Sequence, residues 1–316
     1  MAFTKTPSIA KGFRTVHLHL IFFAVCFWAC LSGSASCAGE PIPVFVSIPP
    51  QKYFVDKIGG SLVRVSVMVP PGANPHTYEP RPSQMTALTK SNLYFAIGVS
   101  FEAVWLPKFA ELHPTMRMVH TDRGIEKIAM AEHHHEEEGE TKHAPRGKAS
   151  GTPDPHVWVS PPEVRIVARN ILDALVEMDP SNSGKYRSGH DAFLGEVDKL
   201  DQDLREMFKD RRGLQFMVYH PAWGYFARAY GLEQVPVEIE GKEPKPVQLK
   251  TLITEARKAG IKVIFVQPQF STKSAETLAR AIGGQVIVAD HLREDWEKNL
   301  RVQAEKFRKA LTPKNQ

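Results

Sequence analysis

Cysteine is nearly absent from this sequence. Its 316 residues include three, Cys26, Cys30 and Cys37, and all lie within the first 38 positions. If that segment is removed, the remaining chain can form neither a disulfide nor a thiolate metal site, so any bound metal must rest on histidine and carboxylate. A basic surplus is missing as well. The formal charge is +5, but the first 38 residues hold Lys5, Lys11 and Arg14 and no acid, leaving 37 basic against 35 acidic residues. That near balance takes away most of the positive field on which a nucleic-acid surface depends, and no nucleic-acid partner is expected. No apolar run is long enough to span a bilayer. The longest, residues 18–31 (LHLIFFAVCFWACL), has about 14 residues where a transmembrane helix needs about 20. Disorder of the whole chain is excluded in turn, because 42% of residues are apolar and 24% charged.

The short apolar run has another use. A positive start, the run itself and the small residues 32–38 (SGSASCA) make an export signal. The expectation is cleavage after Ala38 and a periplasmic mature protein; a lipid anchor on Cys37 is the alternative, although SASC is a poor lipobox.

Beyond the leader, β-branched and aromatic runs alternate with stretches that carry one apolar helical face. Residues 44–48 (VFVSI), 63–69 (VRVSVMV) and 93–97 (LYFAI) read as strands, with helical segments at 51–58 and 82–91, the second N-capped by Ser83. The pattern returns with strands at 215–219, 262–266 and 285–289 and helices at 246–259 and 272–282. Alternation on both sides implies two α/β domains with largely parallel sheets. Between them, Tyr186, Phe193, Leu194, Val197, Leu200, Leu204 and Phe208 recur at helical spacing, predicting one long helix over 183–212 that runs through Gly189 and Gly195. The expected organisation is a signal at 1–38, an N-terminal lobe at 39–181, a linker helix at 182–212 and a C-terminal lobe at 213–316. Within the first lobe, residues 132–150 (EHHHEEEGETKHAPRGKAS) have no apolar period and read as a loop without a core of its own.

Four sites of chemistry stand at strand ends or proline-rich turns: His76 in PPGANPHTYEP, His156 in PDPHVWV, His220 in VYHPAWGYF and Asp290 in VADHL. Ligands of open α/β sheets bind beyond the carboxyl ends of strands, so these residues can converge across a cleft between the lobes. Three neutral imidazoles and one carboxylate suit four-coordinate Zn²⁺, and the flanking prolines stiffen the ligand loops before metal arrives. His291 is a lesser candidate beside Asp290. His113, His120 and His190 read as ordinary surface or helix residues. Glu238, Glu240 and Glu243 (VEIEGKE) read as a solvated loop, with support of a ligand as the alternative. His133, His134, His135 and His143 form a histidine-rich tract, which signals auxiliary, weaker metal binding.

The succession GANPHTYEP, DPHVW, HPAWGYF, KEPKPVQLKTLI, VIFVQPQFS and VADHLREDWEKNL resembles the zinc-binding periplasmic subunits of ABC importers, the cluster A-I (cluster 9) substrate-binding proteins, in order over nearly the whole mature chain. The resemblance implies two Rossmann-like lobes joined by a long rigid helix, with metal between them. It also implies three histidine ligands at His76, His156 and His220 and a carboxylate at Asp290. Manganese-type relatives commonly carry Glu where His220 stands, so the chain looks zinc-type. Two departures stand out: His291 follows Asp290 where Pro is usual, and the disulfide of some relatives cannot form.

The resulting expectation is a monomer that captures Zn²⁺ as transported substrate and passes it to a membrane permease, binding without turnover. Three other readings compete: a manganese or iron binder of the same fold, a zinc hydrolase and a surface adhesin. The hydrolase lacks an HExxH motif or any evident general base.

Overall fold

Eight short strands form two separate four-stranded sheets among the described residues, which are 1–4, 40–130, 152–239 and 242–311 of a computed structural model. In the first sheet β1 (Ile42–Val46), β2 (Val63–Val67), β3 (Leu93–Ala96) and β4 (Arg117–His120) lie in the order β2-β1-β3-β4. In the second, β5 (Gln215–Val218), β6 (Glu233–Pro236), β7 (Val263–Val266) and β8 (Gln285–Val288) lie in the order β6-β5-β7-β8. Every pairing is parallel, with Val44 opposite both Val65 and Leu93, and Met217 opposite both Val235 and Ile264. Both sheets reverse their strand order at the same place, between the first and third strands, where a crevice opens beyond the carboxyl ends.

Parallel strands require crossovers, and the helices supply them. α1 (Pro49–Gly59), α2 (Pro82–Leu88) and α3 (Ser100–Leu112) serve the first sheet. α4 (Pro161–Met178) and α5 (Ser183–Phe208) run between the sheets. α6 (Gly224–Tyr230), α7 (Pro246–Ala259) and α8 (Lys273–Ile282) serve the second sheet, and α9 (Trp296–Ala310) follows it. Prolines at the first turns of α1, α2, α4 and α7 fit there, since those amides have no partner within the helix. α2 starts at Pro82, and its first turn is closed by the Gln84 side chain accepting the Arg81 N–H at 2.9 Å. Ser83 therefore lies inside the helix and does not cap it. Among the described residues no helix is long and apolar enough to cross a membrane. The leader from residue 5 onward, with its three cysteines, and the histidine-rich tract at 133–143 lie outside the described residues.

The long helix expected between the lobes is α5, 26 residues and roughly 39 Å at 1.5 Å per residue. Tyr186, His190, Phe193, Val197, Leu200, Leu204 and Phe208 form its buried stripe, so His190 belongs to the interior and not to the surface. Gly189 does not break the helix because its missing side chain is what the packing requires. A Cβ there would stand 2.6 Å from the Ile58 carbonyl oxygen and 2.9 Å from that of Lys57, so α5 seats directly on the end of α1. The helix ends at Phe208, four residues before position 212. Gly213, at φ +75°, turns the chain and donates to the Gly231 carbonyl at 2.7 Å.

One apolar core runs from the first sheet through α4 and α5 to α6 and α9, and a smaller one around Leu252, Ile264 and Leu278 lies in the C-terminal lobe. Phe54 of α1, Phe193 of α5 and Trp296 of α9 meet at the junction of the lobes, with centroids 5.7 Å apart for Phe54 and Phe193 and 5.1 Å for Phe54 and Trp296. Burial of such side chains contributes about 1.5–3 kcal/mol each. The Lys52–Glu294 ion pair, which also links the lobes, is largely exposed, and such pairs contribute about 0–1 kcal/mol. The aromatic junction therefore dominates the lobe contact.

Candidate metal centre

Three loops bring imidazoles to one point. After β2 the chain turns through Gly72, at φ +83°, and Asn74 Oδ1 accepts the His76 backbone N–H at 2.9 Å. The Pro75 carbonyl accepts the Phe101 N–H at 3.2 Å, tying this loop to the start of α3, where Ser100 Oγ lies 2.8 Å from His76 Nδ1. His156 sits just before α4. Asp154 Oδ1 accepts its backbone N–H at 2.8 Å and pairs with its Nδ1 at 2.7 Å, one carboxylate oxygen fixing both chain and ring. His220 follows β5 after the single residue Tyr219. Its backbone N–H donates to Gln267 Oε1 at 3.2 Å and its carbonyl accepts from Gln267 Nε2 at 2.7 Å. Its Nδ1 lies 2.6 Å from Glu238 Oε1 and its ring stacks on Phe270 at 4.7 Å.

With each Nδ1 engaged by an oxygen, the three Nε2 atoms face one another. His76 and His220 approach to 3.0 Å and His220 and His156 to 3.3 Å. Donor atoms of all three lie within 4.8 Å of one another. A tetrahedral ion bound at about 2.0–2.1 Å per nitrogen needs donor separations of about 3.3 Å, so the trio presents one face of such a shell. A carboxylate behind Nδ1 selects the tautomer whose Nε2 carries the lone pair, and it makes that nitrogen more basic. Two of the three ligand candidates have this arrangement; His76 has a hydroxyl instead.

Burial favours uncharged forms. His76 is pushed down to about 3, by desolvation first and then by the neighbouring His156 and His220. His156 is held well below its usual range for the same first reason. Asp154 is driven the other way, up to about 7, because its carboxylate is buried. Burial thus favours neutral His76 and His156, the form a metal requires.

Asp290 is not brought into this group. Its Oδ1 accepts the Leu292 N–H at 2.9 Å and its carbonyl accepts from Asn299 Nδ2 at 2.8 Å, so the side chain closes a turn. It lines a cavity with Tyr53, Pro71, Arg293 and Asp295, to which none of the three imidazoles contributes. The next residue points inward: His291 is buried, with its ring 5.4 Å from that of His156. Glu238, in a stretch that reads as solvated, is buried against His220. Glu243 is exposed and Glu240 lies outside the described residues. Ser100, Asp154 and Gln267 carried no signal of their own in the sequence, although an acid two residues before a histidine in DPH has the spacing that lets its side chain reach that histidine's amide.

Two tryptophans cross between the lobes beside the centre. Trp158 Nε1 donates to the His291 carbonyl at 2.9 Å, and Trp296 Nε1 donates to the Trp158 carbonyl at 2.6 Å. Tyr225 Oη donates to the Asp154 carbonyl at 3.0 Å from the opposite lobe.

Known proteins share this plan. The high-affinity zinc uptake system protein ZnuA of Bacillus subtilis (strain 168) is 29% identical over 300 residues, covering 92% of each chain. A manganese ABC transporter substrate-binding lipoprotein, PsaA of Streptococcus pneumoniae, is 25% identical over 276 residues, covering 82% of this chain and 84% of that one. Among solved structures, one described as the crystal structure of ZnuA matches with a TM-score of 0.79 at 40% identity, covering 86% of this chain and all of the other. The profile of one family, described as ZnuA, zinc-uptake complex component A periplasmic, matches residues 44–310. With all but the first two residues of the sheets, the long helix and the histidine centre inside that span, the chain belongs to the family of periplasmic zinc-uptake components.

Proposed function

We propose that this protein captures Zn²⁺ in the periplasm and delivers it to an ABC permease, holding the ion between its lobes on His76, His156 and His220. The observation that carries the reading is the set of three Nε2 atoms facing one another, two of them with a carboxylate behind the ring. Zinc is cargo here, and the chemistry is reversible chelation without turnover. A purely imidazole face favours zinc over manganese, which prefers carboxylate and other oxygen donors. The rest of the reading is a monomer that loses residues 1–38 on export, with lobes at 39–181 and 213–316 joined by residues 182–212. The histidines at 133–135 and 143 then act as auxiliary, weaker zinc ligands.

Native mass spectrometry of the mature protein, purified without added metal and then titrated with Zn²⁺ and with Mn²⁺, tests the proposal. One tightly held zinc, not displaced by excess manganese, is expected. Preferential loading with manganese would overturn the zinc assignment.

A further inference from the structure

The turn after β8 presents two adjacent residues with opposite orientations. Asp290 faces out, bonded to the Leu292 amide, while His291 faces in and is 5% exposed. Its ring stacks on Trp158 at 5.9 Å and 18°, and meets the His156 ring edge-on at 5.4 Å. Its backbone carbonyl accepts from the Trp158 indole N–H, and the Trp158 backbone carbonyl in turn accepts from the Trp296 indole N–H. Yet Nδ1 of this buried imidazole has no hydrogen-bond partner. A buried polar atom left unpaired is costly, and well-packed interiors rarely keep one without a use.

Resting on the zinc reading above, we propose that His291, and not Asp290, supplies the fourth protein ligand to the metal, through the otherwise unpaired Nδ1. Its nitrogens lie outside the set of donors within 4.8 Å of one another, so the turn moves inward when metal binds. Charge favours the imidazole over the carboxylate. Asp154 and Glu238 are already buried behind the ligands, and together they can balance one dication. A third buried carboxylate would leave an excess negative charge in a poorly solvated site, whereas a neutral ring adds a donor and no charge. Bringing Asp290 in would also cost its bond to the Leu292 amide.

X-ray absorption of the zinc-loaded wild-type protein tests this without any variant. Four imidazole nitrogens are expected, and three imidazoles with one oxygen would overturn the proposal. Competitive chelator titrations of His291→Gln and Asp290→Asn supply a second test. The first is expected to weaken zinc by at least about tenfold and to reduce the imidazole count to three; the second should stay within about twofold of wild type. The reverse ranking would overturn the proposal and restore Asp290. If wild type binds zinc tightly on three imidazoles, only the His291 assignment falls; if it binds no zinc at all, both proposals fall.

Discussion

The two lobes carry the same sheet order but hold their histidines differently. In the C-terminal lobe, His220 follows β5 after the single residue Tyr219 and is clamped on every side: Gln267 holds both backbone groups, Glu238 engages Nδ1 and Phe270 covers the ring face. In the N-terminal lobe, His76 stands nine residues beyond the end of β2, partly exposed, with a serine hydroxyl as its ring partner. His156 combines the two cases, on a loop yet gripped twice by one aspartate. On the proposed reading, the clamped histidines would set the geometry and the less constrained His76 would complete it.

The most severe break is removal of the fixed ligands. His220→Ala and His156→Ala are each expected to weaken zinc by several orders of magnitude with the fold retained, as measured by competitive titration alongside circular dichroism. Near-unchanged tight binding in either would remove that residue from the site. The supports come next. Glu238→Gln and Asp154→Asn should each weaken zinc by about 10- to 100-fold, whereas Ser100→Ala, behind the adaptable ligand, should cost only a few-fold. Equal losses from all three would erase the distinction between clamped and loose histidines.

The pH dependence sharpens the contrast further. Asp154 is raised to about 7 by burial, so near and below neutrality the metal-free protein holds a proton there that zinc must displace. His76, lowered to about 3, binds none in that range. Apparent affinity should therefore climb as pH rises towards 7 and level off above it. Calorimetry in buffers of different ionisation enthalpy should show about one proton released per zinc at pH 6 and almost none at pH 8. Asp154→Asn should abolish that release; an unchanged release in the variant would assign the proton to an imidazole.

The smallest effect on the tight site should come from deleting residues 132–148. One tightly bound zinc should remain, while further weak binding and rapid capture disappear. An unchanged total zinc count by equilibrium titration would reduce that stretch to a spacer.

Much of this arrangement was legible in the sequence, because strand ends next to prolines advertise where a sheet delivers its side chains. His76, His156 and His220 were found this way. The edge strands β4 and β6 were not, since RMVH and EQVP are short, half-buried and mixed in polarity, and are strands only because a neighbour pairs with them. The different settings of Asp290 and His291 were not legible either. Two adjacent residues in a turn face opposite ways, and the capture of a carboxylate by the Leu292 amide decides which one faces out. Glu238 was hidden by its setting, for a VEIEGKE stretch looks solvated until Tyr219 and His220 are placed against it.

The indole–carbonyl relay from Trp296 through Trp158 to His291 has an optical consequence. Two of the chain's five tryptophans are buried beside the histidine centre, Trp158 bonded to the His291 turn and Trp296 bonded to Trp158, so the proposed inward shift of that turn would reach both. Ultraviolet emission from the unlabelled protein should therefore report occupancy directly. Replacing Trp158 with Phe should silence most of the response, while Trp105, out on α3, stays indifferent to the ion.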